Sequence, residues 1–129
     1  MALINEIKFD SAGLVPAVAV DEKGSVLMLA YMNREAFEKT IATGKTTFYS
    51  RSRKKLWTKG EESGNVLEVL DIYLDCDGDA IVVKVKSGVP ACHKGYASCF
   101  FRKYSSGGKW KIFKEKVFDP EKAYKKRGE

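Results

Sequence analysis

The chain has 129 residues, 44% hydrophobic, 12% aromatic and 31% charged, with 23 Lys and Arg against 17 Asp and Glu and a net charge of +6. This length suits one domain with its own core, and the apolar content excludes an intrinsically disordered chain. No apolar run reaches the roughly 18 residues of a membrane helix, and the start, MALINEIKFD, lacks the basic-then-apolar pattern of a secretory leader.

Residues 14–20 (LVPAVAV) and 26–31 (VLMLAY) are short apolar runs rich in strand formers, separated by the turn sequence Asp21–Gly24. Asn33 is placed to cap a helix over Arg34–Thr43, with Phe37 and Ile41 on one face and Gly44 as the stop. TTFYSRS at 46–52 is followed by a polar stretch, 53–64, read as a basic loop anchored by Trp57. Residues 66–74 (VLEVLDIYL) and 80–86 (AIVVKVK) are strand-like. CFFRKY at 99–104 and KWKIF at 109–113 flank a hairpin turn at Ser105–Gly108, and the segment after Pro120 is a short helix or a frayed end. The expected class is α+β, mostly β, with six or seven short strands and one main helix. Residues 1–129 form one domain, with a core over about 13–104 and a C-terminal hairpin strand and basic tail over 105–129.

Three segments carry candidate chemistry. The first, LDCDGDA at 74–80, encloses Cys76 among three carboxylates. In an extended strand Asp75, Asp77 and Asp79 share one face, and their mutual repulsion calls for a hard cation such as magnesium or calcium. Asp77-Gly78 is also a strong hairpin signal, and a tight turn takes Asp79 off that face. The second, PACHKGYASCFFR at 90–102, places Cys92 and Cys99 around His93, the single histidine. Thiolates near an imidazole are zinc-type ligands, and three protein ligands leave a position for water. An odd count of cysteines without a signal peptide fits a reducing cytoplasm better than a disulfide framework. The absence of a CxxC pair sets aside the common zinc-finger and thioredoxin signatures, and free buried thiols are the alternative. The third, TTFYSRSRKKLWTKGEESG at 46–64, mixes basic residues, hydroxyls and aromatics. Arginine forks suit phosphate, and Tyr49 or Trp57 can stack on a base. The same composition suits a single-stranded nucleic-acid groove.

Taken together with GLVPAVAVD (13–21), VLMLAYMNREAFEKTIATGKTTFYSRSR (26–53) and LWTKGEESGN (56–65), these segments resemble phosphoribosyl-AMP cyclohydrolases, from about Gly13 to Arg102. The resemblance is to the stand-alone, monofunctional form. It implies hydrolysis of the purine ring of phosphoribosyl-AMP between nitrogen 1 and carbon 6, the third step of histidine biosynthesis, giving the formimino aminoimidazole carboxamide intermediate. It further implies a cytoplasmic homodimer with one zinc per subunit at the interface, held by Cys76 of one chain and Cys92 and Cys99 of the other. Asp75, Asp77 and Asp79 then match the magnesium ligands. In the resulting scheme zinc-bound hydroxide attacks carbon 6 and His93 moves protons or serves as a fourth zinc ligand. Arg51, Arg53 and Lys59 clamp the phosphates, Ser63 and the Gly64 amide add hydrogen bonds, and Tyr49 or Trp57 holds the base. Lys94 stands where many relatives carry a smaller residue. The competing expectation, a nucleic-acid-binding β domain with a structural zinc, is disfavoured by the three aspartates, because carboxylates repel phosphate unless a cation intervenes. Neither nucleic acid nor membrane is the expected partner.

Overall fold

A computed structural model describes residues 2–121. A 3-10 turn (Ala2–Glu6) leads into β1 (Val15–Val20), β2 (Val26–Met32), α1 (Arg34–Thr43), β3 (Thr47–Ser50), β4 (Lys55–Thr58), β5 (Val69–Leu74), β6 (Ile81–Val85), β7 (Arg102–Tyr104) and β8 (Trp110–Ile112). The mostly-β α+β expectation holds, with eight strands among the described residues rather than six or seven.

The central sheet has the order β2-β1-β6-β5. β1 and β2 are antiparallel, with Ala17 opposite Ala30. Their turn is closed by Asp21, whose Oδ1 accepts from the amides of Lys23 and Ser25 at 2.9 Å each. β1 and β6 run parallel and β5 returns antiparallel on β6. Period-two alternation buries Val15, Ala17 and Ala19 on β1 and Ile81, Val83 and Val85 on β6. These side chains join Met32, Phe37, Phe48 and Leu67 in one core, where burial of apolar area supplies the main driving force.

The helix forms where the caps place it. Asn33 Oδ1 accepts from the Ala36 amide at 2.8 Å, and Gly44, at φ 74°, donates to the Thr40 carbonyl at 2.9 Å. Its buried face is Ala36, Phe37 and Thr40, whereas Ile41 is 40% exposed. Buried Thr40 ties the helix to β3: its hydroxyl donates to the Ala36 carbonyl and accepts from the Thr47 amide, both at 2.9 Å.

Three expectations need correction. The basic loop at 53–64 contains β4, which pairs with β3 so that Phe48 faces Trp57, their ring centroids 5.1 Å apart. Two four-residue strands interrupted by basic turn residues are too short for alternation to stand out. The strand expected from 66 begins at Val69, because 67–69 instead ties to the end of the helix: Thr46 N–H donates to the Leu67 carbonyl and Val69 N–H to that of Gly44. The strand expected from 99 begins at Arg102, because Cys99 N–H is taken by the Leu27 carbonyl at 2.7 Å. The segment after Glu121 lies outside the described residues. Among the described residues no helix is long and apolar enough to cross a membrane.

Candidate active site

The loop between β6 and β7 is built to fix two sulfur atoms. Ala91 N–H donates to the Ala97 carbonyl at 2.9 Å, and Cys92 N–H to that of Tyr96 at 3.1 Å, folding the segment back on itself. Gly95 makes the reversal at φ 101°, where a Cβ would meet the Phe118 carbonyl oxygen at 2.6 Å. Tyr96 and Phe101 stack across the loop at 3.8 Å. The Lys94 amide donates to Cys92 Sγ at 3.4 Å. At the other end, Ser98 Oγ donates to the Val26 carbonyl at 2.7 Å, pinning the segment to β2.

Cys92 is buried, and Cys99, exposed at the cleft, couples to it electrostatically. Burial, then the neighbouring Cys92, pushes the Cys99 thiol up to about 11, while the Lys59 ammonium opposes the shift. The Lys59 side chain is only 7% exposed. Burial pulls its ammonium below the ordinary lysine range, and the charges of Cys99 and Cys92 push it back up.

Beside the thiols opens a cleft of about 530 Å³ lined by Arg53, Trp57, Lys59, Ser63, His93 and Cys99, all singled out from the sequence. Ser50, Ser52, Thr58, Glu61 and Glu62 also line it and were not expected there. The clue for them is β4: once 55–58 pairs with 47–50, the ends of both strands and the loop after β4 converge on one side. That loop is tight. Glu61 N–H donates to the Thr58 carbonyl at 3.1 Å and Gly64 N–H to the Gly60 carbonyl at 2.8 Å. A Cβ on Gly60 would overlap the backbone of Asn65 and Val66.

Three substrate residues expected from the sequence sit otherwise. The Gly64 amide is already committed to Gly60 and is not a free donor. The Arg51 guanidinium lies over the Tyr31 ring, 4.3 Å from its centroid, and Arg51 and Tyr49 are not among the residues lining the cleft.

The aspartate segment is a turn, not an extended strand. Asp75 Oδ1 accepts from the amides of Asp77 and Gly78 at 3.0 and 3.1 Å, and Asp75 N–H donates to the Ala80 carbonyl at 3.0 Å. Gly78, at φ 79°, packs against the Glu6 carbonyl with no room for a Cβ. Oxygen and sulfur atoms of Asp75, Cys76 and Asp77 lie within 4.8 Å of one another, all exposed, and Asp79 does not join them. The alternation that would have aligned all three carboxylates is replaced by an Asx-type turn, because the local amides capture Asp75.

Within one chain, therefore, Cys99 lines the cleft with buried Cys92 near it, and Cys76 lies on the β5–β6 turn, in no common ligand group with them among the described residues. The donor chemistry at Cys92 and Cys99 fits a soft or borderline cation such as zinc, with two of its four coordination positions still to fill.

The family model described as phosphoribosyl-AMP cyclohydrolase matches residues 28–101. A phosphoribosyl-AMP cyclohydrolase of Pelotomaculum thermopropionicum is 53% identical over 125 residues, spanning 96% of this chain and 97% of that protein. Proteins of the same name from Chlorobium phaeovibrioides and Chlorobaculum parvum are 49% and 48% identical over 127 residues, each spanning 98% of this chain and 93% of the relative.

Proposed function

Because this chain belongs to the phosphoribosyl-AMP cyclohydrolase family, we propose that it opens the purine ring of phosphoribosyl-AMP between nitrogen 1 and carbon 6, the third step of histidine biosynthesis. The observation that carries the site assignment is the division of the cysteines: Cys99 lines the cleft and couples to buried Cys92, while Cys76 lies apart on the β5–β6 turn. A homodimer resolves it, with Cys76 of each chain completing the thiol pair of the other. Exposed apolar side chains such as Leu29, Leu74 and Phe100 supply surface for such a contact.

A zinc ion held by the three thiolates supplies a Lewis acid that activates water near neutral pH. The residues of the chain do the rest. The Lys94 amide holds Cys92 Sγ in place. His93 lines the cleft beside Cys99, within reach of a substrate, and moves protons at the ring nitrogen that leaves carbon 6. Arg53 lines the same wall and binds a phosphate of the substrate. Trp57, held by Phe48, offers a ring face to the base. The substrate's ring is already positive, because nitrogen 1 carries the second ribosyl phosphate, and carbon 6 is therefore electrophilic. Asp75 and Asp77, with Asp79 after rearrangement of the turn, are the proposed magnesium ligands, a hard-oxygen set suited to orienting phosphate. Free cysteines of this kind belong in a reducing cytoplasm.

The test is ring opening of phosphoribosyl-AMP by the purified protein, before and after removal of zinc with a chelator. Activity that disappears on removal and returns with zinc supports the reading. Activity that survives complete removal moves catalysis away from the thiols. A folded, zinc-loaded and magnesium-supplemented protein that leaves the substrate intact refutes the assigned reaction.

A further inference from the structure

Lys59 stood among the phosphate clamps by its charge and its place in the basic stretch. Its position argues for a different task. It is the one lysine among the buried residues, 7% exposed, in a chain whose other described lysines face solvent at least in part. A buried ammonium survives only beside compensating negative charge. Lys59 lines the same cleft as Cys99, and the charges that act on it are those of Cys99 and of buried Cys92.

The backbone holds Lys59 where it is. Its N–H donates to the Thr46 carbonyl at 3.0 Å, at the end of the β3–β4 pair. The next residue, Gly60, is locked against Asn65 and Val66. The main chain of Lys59 is therefore fixed at the edge of the cleft.

We propose that Lys59 is a positioning residue whose ammonium offsets the negative charge of the thiolate metal site formed by Cys92, Cys99 and a third cysteine. The inference rests on the zinc reading above. Three thiolates and a divalent cation carry one net negative charge, and a single buried ammonium neutralises it. Such outer partners of a metal site typically govern affinity by about 10–100-fold.

The experiment measures zinc affinity of reduced, metal-stripped full-length protein by competition with a chromophoric chelator, for wild type, Lys59→Met and Lys59→Arg. Lys59→Met keeps the apolar stem and removes the charge. Its expected zinc affinity is about 10–100-fold weaker, with a thermal midpoint for the metal-free protein no lower than wild type, since a buried charge has gone. Lys59→Arg is expected to recover part of the affinity. Zinc affinity of Lys59→Met within twofold of wild type overturns the proposal. So does a raised KM with unchanged zinc affinity, which returns Lys59 to phosphate binding. A wild-type protein that takes up no zinc overturns the underlying metal reading instead, so the two failures are distinct.

Discussion

Two alanine substitutions at glycines with nearly the same backbone separate local strain from packing in the β4 loop. Gly24 has φ 84° and Gly60 has φ 88°. An L-residue in that region costs about 1–2 kcal/mol, and stiffening the unfolded chain returns about 0.4–1 kcal/mol. A Cβ on Gly24 meets nothing within 4 Å, so Gly24→Ala is expected to lose about 1 kcal/mol net. A Cβ on Gly60 overlaps the Asn65 carbonyl carbon and the Val66 nitrogen, which are backbone and cannot rotate aside. Forcing a methyl group into filled space adds about 1–3 kcal/mol, giving about 2–4 kcal/mol in all. The assay is urea unfolding of the metal-free protein at one fixed concentration, because association shifts the midpoint. With a slope of about 2 kcal/mol/M, the Gly60→Ala midpoint falls by about 1–2 M and that of Gly24→Ala by about 0.5 M. Equal shifts would refute the closure of the loop that holds Lys59 and Ser63 at the cleft.

Further outcomes follow from the same geometry. Thr40→Val keeps the shape of a buried side chain but orphans the Thr47 amide that it accepts from, and is expected to cost about 1–3 kcal/mol; a loss below about 0.5 kcal/mol in urea unfolding would contradict the helix–β3 tie. The fold raises the Cys99 thiol from 9.0 to about 11, so it favours the protonated form. Its contribution to metal-free stability is complete below about pH 9 and is lost as the pH rises through about 11. Cys99→Ala should remove that part of the decline, and an unchanged stability–pH profile would count against the coupling of Cys99 to Cys92. His93→Ala should retain its zinc and lose about 10²–10⁴-fold in turnover; a loss below tenfold would remove proton transfer from its role.

The helix was legible because its signals are local: Asn33, Gly44 and the spacing of Phe37 within ten residues. The β1–β2 hairpin was legible for the same reason, since Asp21 closes it through its own neighbours. β4 was not, because Lys55–Thr58 gains strand character only from its partner Thr47–Ser50. Cys92, Cys99, His93, Arg53 and Trp57 were singled out by residue type, and the fold brings Cys92 to Cys99 and lines one cleft with the other four. Residue type could not reveal that the Gly64 amide is taken by Gly60 or that Arg51 rests on Tyr31, since both depend on contacts between separate segments or within a folded loop. The competition at Asp75 between a strand face and an Asx-type turn was visible in LDCDGDA, and amides two and three residues ahead decide it.

The central claim is a site shared between two chains, and subunit complementation tests it most directly. Cys76→Ala and Cys92→Ala, each expected to be inactive alone, are co-produced with different tags and the mixed dimer is assayed for ring opening. In a mixed dimer one site carries both substitutions and the other carries none, so the separated mixed dimer retains about half of the wild-type sites. Recovery of zinc and turnover near that level is the predicted result. No recovery, from mixed dimers shown to be present, would contradict a site completed by Cys76 of the second chain.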